Sequence, residues 1–252
     1  MKKLQSLISA LAVAAFFYSG AAHAAATGTF TDANREYAAG NFKKAIELYE
    51  RIIRMSNGTG AVYYNLGSAY LKTGQKGQAL LAYRRAERRI PRDQDLRWNL
   101  SVVRAALKDH VEDTDENIFL YGIKKALGYV TINEIAIVLT LSLGLLFILT
   151  AAEFFMENIK IGTGIIQFIL FAVLLLSALV LGMKYRQIKD PPVVVLDPEV
   201  TVYYGPSDKE SKAFVLHEGA EAKVMDRMAD WYYIRLKNKN SGWIAKNSCE
   251  IV

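Results

Sequence analysis

The side chains that most often carry catalysis or bind metals are scarce in this sequence. Its 252 residues include one cysteine, Cys249, and three histidines, His23, His110 and His217. One thiol can form neither an intramolecular disulfide nor a CxxC redox pair. Two isolated histidines beyond the N-terminal segment offer little for a nucleophile–base pair or a metal site. The sequence therefore predicts a non-enzymatic protein with no cofactor and no metal.

A cluster of arginines could bind a partner instead of doing chemistry. Spacings of one, three and four residues place most of them on one outer face of a helix. This face has two interpretations, a solvated surface or a basic docking surface for an acidic partner or anionic headgroups. The arginines are Arg84, Arg85, Arg88, Arg89 and Arg92.

The N-terminus predicts export. Lys2 and Lys3 precede an apolar stretch over 4–18, and Ala22-His23-Ala24 fits the pattern for cleavage after residue 24. Residues 1–24 are therefore interpreted as a signal peptide, with an uncleaved signal anchor as the alternative. Both interpretations carry the next segment across a membrane, which makes nucleic acid an unexpected partner.

Two long apolar segments predict a membrane anchor, consistent with a hydrophobic content of 52%. Residues 135–152 and 161–183 contain no charged side chain. As helices they are about 27 and about 34 Å long, enough for a hydrocarbon core of about 30 Å. The short gap between them predicts an antiparallel two-helix transmembrane hairpin over 135–183. Residues 118–134 are interpreted as an interfacial linker helix.

The region before the hairpin repeats itself every 34 residues. Gly40 recurs as Gly74, Ala45 as Ala79 and Tyr49 as Tyr83. Each unit reads as two helices, A and B, joined by a turn at which glycine supplies a positive φ. A third A-type helix over about 94–108 has no B partner and is expected to cap the array.

This pattern resembles the tetratricopeptide repeat family, which predicts an all-α repeat domain over 25–117. The resemblance implies a protein-binding concave face made by the A helices. Some relatives hold a peptide carboxylate with two asparagines and several cations, but Phe30, Asp95 and Asn99 occupy the expected cationic positions. For Asn65 and Asn99, repeat consensus is the alternative interpretation. By this analogy the groove presents Asn34, Tyr64, Asn65, Ser68, Lys72, Trp98 and Asn99.

The tail over 190–252 changes to β-branched and aromatic runs separated by turns, which predicts five or six short strands in a small all-β barrel. Segments 230–235 and 242–244 resemble the bacterial SH3-type (SH3-like) domain, whose relatives bind peptides or cell-wall fragments. Trp243 is expected in the barrel core. The candidate exposed aromatic groove consists of Tyr203, Tyr204, Trp231 and Tyr232.

The order of signal, repeats, hairpin and SH3-like tail resembles the BatE-like proteins of the Bacteroides aerotolerance (Bat) operon family. That resemblance implies a scaffold in an envelope complex with von Willebrand A-type membrane proteins, another tetratricopeptide repeat protein and a MoxR-type ATPase. The alternative is a peptidoglycan-associated factor whose tail binds cell wall while the repeats recruit a wall enzyme.

The membrane orientation rests on two signals that disagree. Export places the repeats, and through the hairpin the tail, on the periplasmic side of the inner membrane. Lys124, Lys125, Lys184, Arg186 and Lys189 would then flank the hairpin on that outer side, against the positive-inside tendency. The signal peptide acts first, so the periplasmic orientation is the prediction.

Overall fold

The computed structural model describes residues 30–109, 122–123, 126–155, 160–189 and 191–252. The predicted signal peptide lies outside these residues. His110 and part of the predicted interfacial linker also lie outside them. The same is true of Lys124 and Lys125, whose charges bear on the membrane orientation.

Within residues 30–109, five helices form the repeat region, and each packs on the next. They are α1 over residues 30–38, α2 Phe42–Ser56, α3 Gly60–Lys72, α4 Lys76–Glu87 and α5 Gln94–Ala105. Gly40 and Gly74 adopt φ of +80° and +81° in the turns within the first two units. That left-handed conformation favours glycine, so the repeated glycine fixes the tight turn between helices A and B.

The small residues of the repeat allow close approach of the two helices in a unit. A Cβ on Gly67 would lie 2.6 Å from Cδ1 of Tyr83, so the tyrosine ring rests directly on the glycine backbone. Tyr49 and Tyr83 are fully buried, with Ala45 and Ala79 beside them. Small residues on one helix and a large ring on the other thus create the core of each repeat.

Two long apolar helices follow, α6 Ile132–Phe155 and α7 Lys160–Lys189, and they pack on each other. In the most apolar 18-residue stretch of each helix, only 11% of α6 and 6% of α7 is buried. Phe147 and Phe168, for example, are more than 70% exposed. So large an apolar surface indicates membrane association, and each helix is long enough to span a bilayer.

Helix α6 begins with a capping box. The Thr131 side chain accepts a hydrogen bond from the Glu134 amide, and the Glu134 carboxylate accepts one from the Thr131 amide at 2.8 Å. Each side chain satisfies a backbone N–H that the helix leaves free. The box therefore fixes where α6 starts.

The tail forms one antiparallel sheet of seven strands rather than the predicted barrel of five or six. The order is β3-β2-β6-β5-β4-β1-β7. Strand β1 pairs with both β4 and β7, so the last strand extends the sheet and does not meet β3 to close it. The strands are β1 Pro192–Val195, β2 Glu199–Tyr203, β3 Lys212–His217, β4 Glu221–Met228, β5 Trp231–Arg235, β6 Ser241–Ala245 and β7 Cys249–Ile251.

The sheet docks on the repeats. Val194 of β1 and Val252, just after β7, share one buried cluster with Leu96, Leu100 and Leu107 of the α5 region. A Cβ on Gly219 would lie 2.3 Å from a methyl group of Leu107, which shows how closely the two parts approach. Because the repeats and the sheet are in contact, both must lie on the same side of any membrane that the hairpin crosses.

Candidate functional site

Four of the predicted groove residues form two hydrogen-bonded pairs between neighbouring A helices. The Asn34 carbonyl oxygen accepts from the Asn65 amide at 2.9 Å and from the Tyr49 hydroxyl at 2.6 Å. One repeat later, the Asn99 amide donates to the Tyr64 hydroxyl at 3.1 Å. The asparagines therefore join neighbouring repeats, and part of their hydrogen-bonding capacity is used within the fold.

Aromatic rings line the same face. The ring centroids of Tyr64 and Tyr83 are 5.9 Å apart, and the Ser68 hydroxyl lies 3.0 Å from the Tyr83 hydroxyl. Trp98 occupies the position of Tyr64 in the next repeat but is 70% exposed, and Val102 beside it is 41% exposed. The groove thus changes from a half-buried ring at Tyr64 to an open apolar pair at its α5 end.

The electrostatics of the groove are set by tyrosines and nearby acids. Burial raises the pKa of Tyr49 and of Tyr83 to about 12. Burial also raises the pKa of Tyr64, and the charges of Asp95 and Asp93 add to this effect. These hydroxyls therefore stay neutral at physiological pH. Lys72 lies exposed at the end of α3.

The clustered arginines pair with other groups of this chain. They are called the arginine stripe below and comprise Arg84, Arg85, Arg88, Arg89 and Arg92. Arg84 contacts Glu87 at 2.5 Å and Glu221 of the tail at 3.2 Å. Burial alone would lower the Arg84 pKa, but Glu221 and Glu87 outweigh burial and raise it above its ordinary value. The guanidinium therefore stays charged in a mostly buried position between the repeats and the sheet.

Two further arginines hold the end of the sheet. Arg85 donates to the Glu250 carboxylate at 2.6 Å and to the Ile251 carbonyl at 2.7 Å, and Arg88 donates to the Val252 carbonyl at 2.8 Å. Burial and the neighbouring guanidiniums lower the pKa of Arg88. The like charges of the stripe repel one another, and acceptors from the tail offset that repulsion.

The remaining arginines of the stripe contact the repeats and the hairpin. Arg89 lies 4.5 Å above the Tyr63 ring and donates to the Asn57 carbonyl. Arg92 binds Glu134 at the start of α6 through its two terminal guanidinium nitrogens, at 2.7 and 3.2 Å. A two-pronged arginine–carboxylate contact is geometrically specific. It therefore fixes the turn between α4 and α5 against the first apolar helix.

The sequence contained a signal for these contacts that its repeat interpretation missed. Tyr63 and Tyr70 of α3 pack into the core of the repeats, but the equivalent residues 34 positions later are Arg97 and Arg104. Arg97 donates to the Tyr129 hydroxyl at 2.6 Å, and Arg104 contacts Glu221 at 3.3 Å. Where a B helix would cover α5, polar contacts to the hairpin and the tail replace it.

The loop between β3 and β4 completes the docking. The Glu218 carboxylate accepts from the Gly77 amide at 3.2 Å, at the N-terminus of α4, where a negative charge is favourable. His217 contacts Asp109 through its backbone amide at 2.6 Å and its ring at 3.0 Å. Lys108 lies 2.7 Å from the other ring nitrogen of His217. Both ends of the interface are thus hydrogen-bonded.

The predicted aromatic groove of the tail is divided between the two faces of the sheet. Tyr203 and Trp231 meet edge to face at 5.8 Å, and Tyr204 is 70% exposed. Tyr232 points to the opposite face and packs on the core. Trp243, expected in the core, is instead half-buried on the outer face, where it lies opposite both Tyr203 and Tyr233. The aromatic face of the tail consists of four half-buried rings, Tyr203, Trp231, Tyr233 and Trp243.

Residues 30–93 and 64–113 match the model of the tetratricopeptide repeat family. The chain therefore contains tetratricopeptide repeats, which indicate a protein–protein interaction module. No curated protein matches the sequence. The match covers the helices that form the groove and does not include the hairpin or the tail.

Removing the charge of Glu221 tests the interface between the repeats and the sheet. Glu221→Gln leaves Arg84 and Arg104 without their shared carboxylate. Since both Arg84 and Glu221 are mostly buried, we expect the free energy of unfolding to fall by about 1–3 kcal/mol, between the costs of exposed and buried pairs. Urea unfolding of the full chain in detergent measures this change. Glu47→Gln, on the exposed face of α2, is the matched control, and equal stabilities of the two variants would contradict the interface.

The single thiol tests the packing of β7. Burial raises the pKa of Cys249 to about 12, with a smaller contribution from Asp197. The folded thiol therefore stays neutral, and the stability this burial supplies is lost only as the pH rises from about 9 towards 12. We expect iodoacetamide at pH 8.5 to alkylate the folded protein at least about 100-fold more slowly than the urea-unfolded chain. Equal rates would show that β7 is not docked.

Proposed function

We propose that the protein is a non-enzymatic, membrane-anchored adaptor of a cell-envelope complex. The tetratricopeptide repeats hold one protein partner in the groove, and the SH3-like tail offers its aromatic face to a second. The observation that carries this proposal is the open apolar pair Trp98–Val102 at the α5 end of the groove, beside the edge of the repeats that the tail covers. The concave face therefore offers a partner an apolar surface that the protein itself leaves open.

The order of modules supports an aerotolerance-type complex of the Bat operon family. In that setting the partners are von Willebrand A-type membrane proteins and other tetratricopeptide repeat proteins. The hairpin lies in the inner membrane with both modules on the periplasmic side. The apolar surface of the hairpin supports a role as an anchor, and its polar contacts with the repeats hold the groove beside the bilayer. Membrane proteins are the nearest partners there.

Substitution of Trp98 tests the adaptor function. The tagged full-length protein is purified in detergent from its host, and co-purifying membrane proteins are quantified by mass spectrometry. Trp98→Ala should reduce the stoichiometric partner at least about 10-fold, because exposed tryptophans often dominate an interface. Met55→Ala, which changes a 55% exposed side chain of α2, is the control. Equal recovery from both variants would contradict a partner in the groove.

A second candidate function is supported by the aromatic face of the tail. Four rings on one side of a sheet could hold a peptidoglycan fragment while the repeats recruit a wall enzyme. Retention on purified sacculi separates the two candidates. If the tail binds cell wall, the unaltered protein should be retained and Trp231→Ala should abolish that retention. The adaptor proposal instead expects that the unaltered protein does not bind sacculi.

A further inference from the structure

The end of the groove nearest the hairpin has a chemistry of its own. Trp98 directly follows Arg97, whose guanidinium binds the Tyr129 hydroxyl and lies 5.1 Å from that ring. Tyr129 precedes α6 by three residues. The backbone of α5 at Trp98 is therefore held near the start of the first apolar helix, which brings a ligand of this end of the groove close to the bilayer.

Two acidic side chains lie at this end of the groove. Asp95 is exposed and makes no hydrogen bond or ion pair to the described residues. Asp93 caps α5 by accepting from the Leu96 amide at 2.8 Å, and both acids act on Tyr64 within the groove. The nearest arginines are engaged elsewhere, Arg92 with Glu134 and Arg97 with Tyr129. The charge of Asp95 thus remains available to a ligand.

The polar groups of the groove favour a ligand that donates hydrogen bonds. Asn99 uses its amide N–H toward Tyr64, which leaves its carbonyl oxygen as an acceptor. An acceptor beside a carboxylate and an open apolar pair suits a cationic, N–H-bearing segment with a large side chain. It does not suit an anionic headgroup or a terminal carboxylate, which would meet Asp95.

We infer that this end of the groove recognises a membrane-adjacent peptide segment carrying a large apolar side chain next to lysine or arginine. The inference rests on the proposed function and adds the chemistry of the partner. The apolar side chain would pack on Trp98 and Val102, and the cation would pair with Asp95. An internal segment suffices, since neither the apolar contact nor the pairing with Asp95 needs a terminal carboxylate.

A peptide-display selection tests the inference. The full-length protein in phosphatidylcholine nanodiscs selects from random 12-residue peptides fused through their C-termini, with counter-selection on Trp98→Ala nanodiscs. We expect enriched peptides to contain Phe, Leu or Trp beside Lys or Arg. As synthetic amides they should bind Trp98→Ala at least about 10-fold more weakly. Binding to Asp95→Asn should be about 2–5-fold weaker and less salt-sensitive, and binding to the control Asp208→Asn, an exposed acid of the tail, should be unchanged.

The outcomes separate the inference from the proposed function. If Trp98-dependent peptides are enriched but carry acids, or bind Asp95→Asn more tightly, the groove binds a partner and the inferred chemistry is wrong. If no peptide depends on Trp98, both the inference and the adaptor function fail. Brominated lipids quench the fluorescence of tryptophans that they contact. If they quench the unaltered protein and this quenching is lost in Trp98→Ala, the bilayer itself covers this face, which also overturns the inference.

Discussion

The contact between the tail sheet and helices α4 and α5 is the interaction on which the rest of the structure depends. Two repeats and one further A helix leave an apolar edge that water would otherwise reach. Val194 and Val252 cover that edge. Around them, Glu218, Glu221 and Glu250 meet the N-terminus of α4 and the arginine stripe. The sheet therefore covers the apolar edge that a capping repeat would otherwise cover, and the repeats and tail share one core.

This contact also constrains the hairpin. The chain leaves the repeats, passes through α6 and α7, and returns to the repeats as the sheet. The Arg92–Glu134 and Arg97–Tyr129 contacts hold the outgoing side, and the docked sheet holds the returning side. Both ends of the hairpin are thus connected to one rigid unit, so the groove keeps a defined position relative to the apolar helices.

Local patterns predicted the helices well, and pairings between distant segments explain what the sequence did not reveal. The 34-residue period located the turns at Gly40 and Gly74, and charge-free runs located the hairpin. By contrast, Arg85 meets Glu250 after 165 residues of chain, a pairing that the local spacing of the stripe cannot indicate. The open sheet likewise follows from β1 pairing on both sides, which a count of strands does not show.

The candidate sites illustrate the same limit. Trp98 is predicted from its position in the repeat, and it is exposed because none of the described helices packs over it. In the tail, the prediction grouped Tyr232 with Trp231, although successive side chains of a strand point to opposite faces. Only the register of β5 with β6 shows that Trp243 and Tyr233 are the neighbours of Tyr203 and Trp231.

Hydrogen exchange tests most directly whether repeats and tail form one unit. The measurement compares the full-length protein in nanodiscs with a variant in which Glu218, Glu221 and Glu250 are all changed to glutamine. The account predicts that amides of α5 and of β1 lose protection together, while those of α2 keep theirs. If the sheet opens and α5 keeps its full protection, the repeats are stable without the tail, and the shared core is contradicted.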